Sequence, residues 1–357
     1  MGGQTDVSRI GWVDTMKAFS IMAVVLFHTQ LMPEIRTAAY LVCLPAFFFA
    51  AGMFTNTTLS PREFFLKKTL RLLIPYVLWG VLTWAFWFFV SSRYGSTTDD
   101  DIAWWQPLVG MLYGRADKLS HNGPLWFLCC MMSLEWIYYG ISRISRQWVR
   151  WIVILAVGGV GCVLAYLEQN WIWGISAACI ILPLYALGAE YKVFFKEKTG
   201  DLSMPKLCLV LTGSLAGLWV GYTYNGDIKL CDSIIGNPWL YYLTVLSALG
   251  LWLSIALILE KAGGRIVRFI QYIGRNTLLV LCLHFPTFSV IKGMAVLCRV
   301  PLSFFETTTG CLVLCISTFA ILLPLAYVFN RYMPIFSPFP LRTRTDDTSV
   351  KLSEKRQ

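Results

Sequence analysis

Charge is what this chain has least of. Asp, Glu, Lys and Arg make up 14% of its 357 residues, against about 25% in an ordinary soluble protein. That deficit excludes a conventional water-soluble domain of this length. Histidine is scarcer still, with three in the chain: His28, His121 and His284. No internal repeat of useful strength is visible, which counts against transporter folds built from duplicated halves. The opening segment MGGQTDVSRIGWVD is not the short basic leader of a secretory signal, so the first apolar run is expected to remain as an uncleaved span. Cysteine is plentiful, at eleven, but zinc-ligand spacing is missing. Cys311 and Cys315 stand alone one helical turn apart, and Cys43, Cys129, Cys130, Cys162, Cys179 and Cys282 lie inside apolar runs. They read as small apolar packers, with no metal site. Cys231, in an outer loop, is the one candidate for a bridge.

What the chain has instead is apolar length. Hydrophobic residues make up 57%, and mean hydropathy is +0.60. Runs near the roughly 20 residues that cross a bilayer recur throughout. The expected fold class is therefore an all-α polytopic integral membrane protein with about ten transmembrane helices. The expected spans are 15–32, 38–55, 70–91, 124–141, 149–167, 171–189, 206–224, 238–259, 275–297 and 308–330, with a tight turn at 31–37. Residues 1–335 are expected to form a single membrane-embedded domain, and 336–357 a polar, disordered cytoplasmic tail. The longest outer segment, Ser92 to Gly123, carries TTDDD and the pair Trp104–Trp105, and is expected to cap an outer-facing cavity. Lys196 to Lys206 reads as a polar cytoplasmic connector.

Charge supplies the orientation. With the N-terminus inside, 23 of the 30 lysines and arginines fall on that side, so both termini are expected in the cytoplasm. The net charge of +10 then reflects topology and attraction to anionic lipid, and is no argument for nucleic acid.

Against this apolar background the first span, WVDTMKAFSIMAVVLFHTQ, holds Asp14, Lys17 and His28. Lys17 and His28 are eleven residues apart, about 20° beyond three full turns and roughly 16 Å along the axis. They share one face, and Asp14 lies three residues before Lys17, where opposite charges meet. Taken singly, Lys17 reads as a snorkelling lysine and Asp14 as its ion-pair partner. An imidazole at membrane depth points instead to a cavity or a proton-transfer role. Glu135, in the fourth span, is either a structural partner of a lysine or amide or a cavity group. His284 lies mid-span with Pro286 after it, and the missing proline N–H frees carbonyl acceptors where a helix lines a cavity. His121 falls in an outer loop, where water is expected to solvate it freely. FLKKTLRLLIPY reads first as a positive-inside flank, yet Lys67, Lys68 and Arg71 also place three cations within about one turn, enough to hold a phosphorylated group.

In combination these motifs resemble the acyltransferase-3 family of integral membrane O-acyltransferases, in its sugar O-acetylase-like group. WVDTMKAFSIMAVVLFH is similar to the family's first-helix motif, a basic residue eleven positions before a histidine, with Lys17 where arginine is usual and Asp14 matching the aspartate. LPAFFFAAGMF, FLKKTLRLLIPY, GPLWFL and IGRNTLLVLCLHFP resemble four later motifs, in the family's order. The resemblance implies transfer of an acyl group, commonly acetyl, from cytoplasmic acetyl-CoA to a hydroxyl of a sugar or envelope glycan, in a bacterial cytoplasmic membrane. It implies His28 as general base and Lys17 as an electrostatic group, with Asp14 as the partner of Lys17. Lys67, Lys68 and Arg71 are then expected on the CoA phosphates, and Trp126, Asn122, Glu135 and His284 on the acceptor side or cavity. Membrane lipid is the remaining partner. A proton-coupled transporter using Lys17, His28, Glu135 and His284 is the rival reading, and a non-catalytic scaffold of the same fold is the third.

Overall fold

The computed structural model describes residues 10–29, 31–91, 102–194 and 202–332. The TTDDD stretch, most of the Lys196–Lys206 connector and the C-terminal tail lie outside the described residues. Among them the regular structure is helical, beside one isolated β-bridge between Lys229 and Ile234. Nine helical segments are long and apolar enough to cross a membrane by length and composition, as expected of a polytopic integral membrane protein.

The first expected span is different. Helix α1, Gly11–Phe27, has 17 residues, or about 25 Å, against a hydrocarbon thickness of about 30 Å. It ends one residue before His28 instead of running to 32. It is buried along most of its length, from Trp12 to Met16 and again at Ala18, Ser20, Ile21 and Ala23–Val25. It is packed among α2 (Pro33–Cys43), α3 (Pro45–Met53), α11 (Pro238–Ala262), α12 (Gly264–Arg275) and α13 (Thr277–Leu297). The polar groups of α1 therefore meet protein, which answers why they are tolerated.

Prolines set the other departures. The expected turn at 31–37 is already helical from Pro33, and the expected span 38–55 is two helices, broken where Leu44 precedes Pro45. Helix α4 (Pro61–Lys68) opens with Ser60 and Glu63 in a reciprocal capping box. A wide turn at Thr69–Leu73 then joins it to α5 (Ile74–Phe86). There the Ile74 N–H reaches back to Thr69, just ahead of Pro75, whose missing N–H interrupts the ordinary ladder.

Helix α6 (Gln106–Tyr113) follows, then α7 (Trp126–Ser142), α8 (Gln147–Tyr166), α9 (Ile175–Phe194) and α10 (Met204–Tyr224). The chain closes its described part with α14 (Thr308–Tyr332). Burial sorts these into core and rim. The apolar window through α7 is 78% buried and that of α8 only 17%, so α7 is internal and α8 faces the surroundings. Leu209, Trp219 and Trp239, more than 60% exposed, belong to an apolar outer belt suited to lipid.

Ahead of α13 the chain forms α12, with Val267, Gln271, Ile273 and Gly274 buried against the bundle. All eleven cysteines are free. Cys231 makes no bridge; its sulfur faces the Tyr40 hydroxyl at 3.9 Å, and burial pushes its thiol up to about 11.

Candidate active site

The N-terminal end of α1 is tied to α12 by charge. Asp14 Oδ1 pairs with Lys17 Nζ at 2.8 Å, and Asp14 Oδ2 with Arg275 Nε at 3.3 Å. Asp14 was expected to serve Lys17 alone, and its contact with Arg275 is an addition to that expectation. The contact forms because Gly274 lets the two backbones touch: a Cβ there would stand 1.8 Å from the Asp14 carbonyl oxygen. Arg275 meets that carboxylate through Nε, and its side chain is 41% exposed. A planar guanidinium therefore shares the Asp14 carboxylate with Lys17.

At the other end of α1 stands His28. Its ring is half-buried between Phe27 and Phe285, at 4.8 and 4.9 Å between centroids, and 5.2 Å from the ring of His284. His284 is fully buried. Its Nδ1 lies 2.9 Å from the Val280 carbonyl oxygen. Only a donor fits opposite a carbonyl, so Nδ1 carries the proton and Nε2 the lone pair. That Nε2 has no hydrogen-bond partner. The two histidines expected on separate evidence, one in the first span and one in the ninth, form one site.

Asn122 reaches the turn of α13 that carries His284 and Pro286. Pro286 cannot donate to the carbonyl four residues back, that of Cys282. Asn122 Nδ2 donates to that carbonyl at 2.8 Å and lies 3.4 Å from Thr83 Oγ1. Asn122 is fully buried, and its Oδ1 is left without a partner. The freed acceptor expected near Pro286 is thus used for packing. Trp126 begins α7 and is buried, with its ring edge-on to Phe127. Among the described residues no ring contact or hydrogen bond joins it to either histidine.

Two further expected site groups meet each other. Lys68 and Glu135 form a buried ion pair at 2.7 Å, with side chains 9% and 6% exposed. Glu135 thus has a lysine as its partner, one of the two readings its sequence allowed, and the charge of Lys68 is balanced by that carboxylate. Lys67, on the last turn of α4, and Arg71, in the wide turn that follows, are exposed. His121 also departs from expectation. It is 7% exposed, and burial pushes it down to about 4, an effect offset in small part by the nearby Gly80 backbone. The loop folds inward because Leu119 and Leu125 on either side are fully buried and draw the residues between them with them.

Sequence reasoning missed Arg275, Thr83 and the aromatic walls Phe27 and Phe285. The alternation of Val267, Ile270 and Ile273 with Arg265, Arg268 and Arg275 was a readable sign of an amphipathic helix over 264–275. Nothing local marked its pairing with Asp14. A recess of about 290 Å³ between α5, α6 and Trp173 is lined by apolar groups such as Leu73, Tyr76 and Leu108, and contains none of the expected site residues.

A half-buried and a fully buried imidazole side by side at one end of a core helix, and a lysine–carboxylate–guanidinium group at the other, fit proton transfer joined to anion binding. Residues 10–329 match a family model described as an acyltransferase domain. No curated protein and no solved structure matches the chain. The family match covers all the described helices but the last few residues of α14, and on it the chain belongs to the acyltransferase-3 family of integral membrane acyltransferases.

Proposed function

We propose that this protein moves an acyl group, acetyl by family default, from cytoplasmic acyl-CoA to a hydroxyl of a sugar or envelope glycan in a bacterial cytoplasmic membrane. The observation that carries this reading is α1 itself: a core helix with a cation near its start and an imidazole at its end, on one face and roughly 16 Å apart. That span is comparable to the pantetheine arm of the donor.

Both termini lie in the cytoplasm in this reading. Lys67 and Arg71 on the third span, with Arg275 on α12, meet the CoA phosphates. Asp14 holds Lys17 and Arg275 apart and oriented. His28 takes the proton of the acceptor hydroxyl as its oxygen attacks the thioester carbonyl. The carbonyl carbon forms the ester bond, the carbon–sulfur bond breaks, and the CoA thiolate recovers the proton from His28 as the free thiol. Lys17 steadies the negative charge of the donor. The rival proton-transport reading draws no support from Glu135, whose carboxylate is engaged by Lys68.

The test is turnover of radiolabelled acetyl-CoA by purified protein in liposomes, with a panel of hydroxyl acceptors. Transfer lowered about 10²–10⁴-fold in a folded His28→Ala variant is the expected result. Equal transfer by both proteins removes His28 as the base, and solute flux without use of acyl-CoA replaces the acyltransferase reading with transport.

A further inference from the structure

His284 is fully buried in α13, yet only one of its ring nitrogens is used. A buried polar atom left without a partner costs about 1–3 kcal/mol, and a phenylalanine or leucine at this place in an aromatic cluster would avoid that cost. The Nδ1 bond to Val280 locks the tautomer and turns the Nε2 lone pair away from its own helix. Three rings surround it: His28 at 5.2 Å, Phe285 at 5.1 Å and Phe288 at 5.9 Å between centroids. Of these only His28 has a hydrogen to give. With centroids 5.2 Å apart, the two rings stand at a separation compatible with a hydrogen bond between ring nitrogens once the His28 ring turns about its soft terminal torsion.

We propose that His284 is a positioning residue for His28: its Nε2 accepts an N–H from His28 and thereby fixes the tautomer that presents the other His28 nitrogen to the acceptor hydroxyl. This rests on the reading of His28 as general base. During transfer the hydroxyl proton goes to that outer nitrogen, and the imidazolium so formed keeps its inner N–H on His284. When the CoA thiolate leaves, it takes the proton from the outer nitrogen, and His28 returns to its starting tautomer. No proton need pass to His284, which acts as the aspartate does in a serine-hydrolase triad, as a neutral acceptor in place of a carboxylate.

The chain's three histidines make the tautomers directly readable. Full-length protein labelled with 15N-histidine, in lipid nanodiscs, is measured by solid-state NMR in wild type, His284→Gln and His284→Met. The expected wild-type spectrum has His284 protonated at Nδ1, a hydrogen-bonded acceptor at its Nε2, and His28 as a single tautomer. Methionine fills the space without a strong acceptor, so His28 is expected as a tautomer mixture there. Glutamine places an amide oxygen near the Nε2 position and is expected to restore the single form. In the acetyl-transfer assay, His284→Met is expected to lower kcat about 10²-fold or more with the donor KM unchanged, and His284→Gln to recover most of it.

A proton found on His284 Nε2, or an unchanged His28 tautomer in His284→Met, overturns the proposal. So does a glutamine variant as inactive as the methionine one, since the imidazole itself would then be the base. Should His284→Met not fold, the wild-type and His284→Gln spectra decide alone. Absence of acetyl transfer in every protein, with the tautomer pattern as expected, counts against the His28 reading and not against the pairing.

Discussion

The buried pair of Lys68 and Glu135 separates a structural cation from a donor-binding one. At 2.7 Å and an effective dielectric of about 20, the gross attraction is about 6 kcal/mol. Desolvation costs several kcal/mol per ion, so the net worth of the intact pair is small. Removing one partner is another matter. Glu135→Ala leaves an ammonium buried beside the Phe64 ring, 5.4 Å away, and is expected to destabilise by about 3–5 kcal/mol. Lys68→Met with Glu135→Leu removes both charges while keeping apolar volume, and is expected within about 1–2 kcal/mol of wild type. Thermal unfolding in detergent, followed by tryptophan fluorescence, closes the cycle for the two singles and the double. Acetyl-CoA binding by the double variant is then measured. Retained stability and retained binding place Lys68 in the scaffold. A double variant as unstable as the sum of the singles refutes the coupling, and a stable double variant that loses the donor returns Lys68 to the CoA site.

Gly274→Ala drives a methyl onto the Asp14 carbonyl, where a Cβ has only 1.8 Å; it is expected to separate α12 from α1 and raise the donor KM several-fold, read in the same transfer assay. Asn122→Ala strands the Cys282 carbonyl beside Pro286 and should cost about 1–3 kcal/mol, whereas Pro286→Ala with Asn122→Ala restores a helical donor and should recover part of it in thermal unfolding. His121 carries a pH dependence of stability. Its folded pKa of about 4 lies below the ordinary 6.5, so the unfolded chain binds the proton first. Its contribution is whole above pH 6.5 and lost as pH falls towards 4, by about 3 kcal/mol in all. Stability curves of wild type and His121→Gln between pH 7 and 4 should therefore converge, and parallel curves would show that the buried ring does not titrate as assigned.

The sequence by itself determined the class of the fold and the first-helix motif. Span length and hydropathy are properties of a line, so the polytopic all-helical class could be read directly, and the helical period alone put Lys17 and His28 on a shared face. Family motifs extended this to His284 and to the cations at the start of the third span. Partnership was a different kind of question. Asp14 meets Arg275 across 261 residues and Asn122 meets Cys282 across 160, and such pairs depend on which helix faces turn towards each other. For the same reason Glu135 read equally well as a cavity group or a partner until α4 was seen to deliver Lys68 to it. His121 looked solvated because loops are usually wet, but the burial of Leu119 and Leu125 carried it inside. The tertiary structure decided these points, because burial and charge pairing belong to the packed helices together and to no one of them alone.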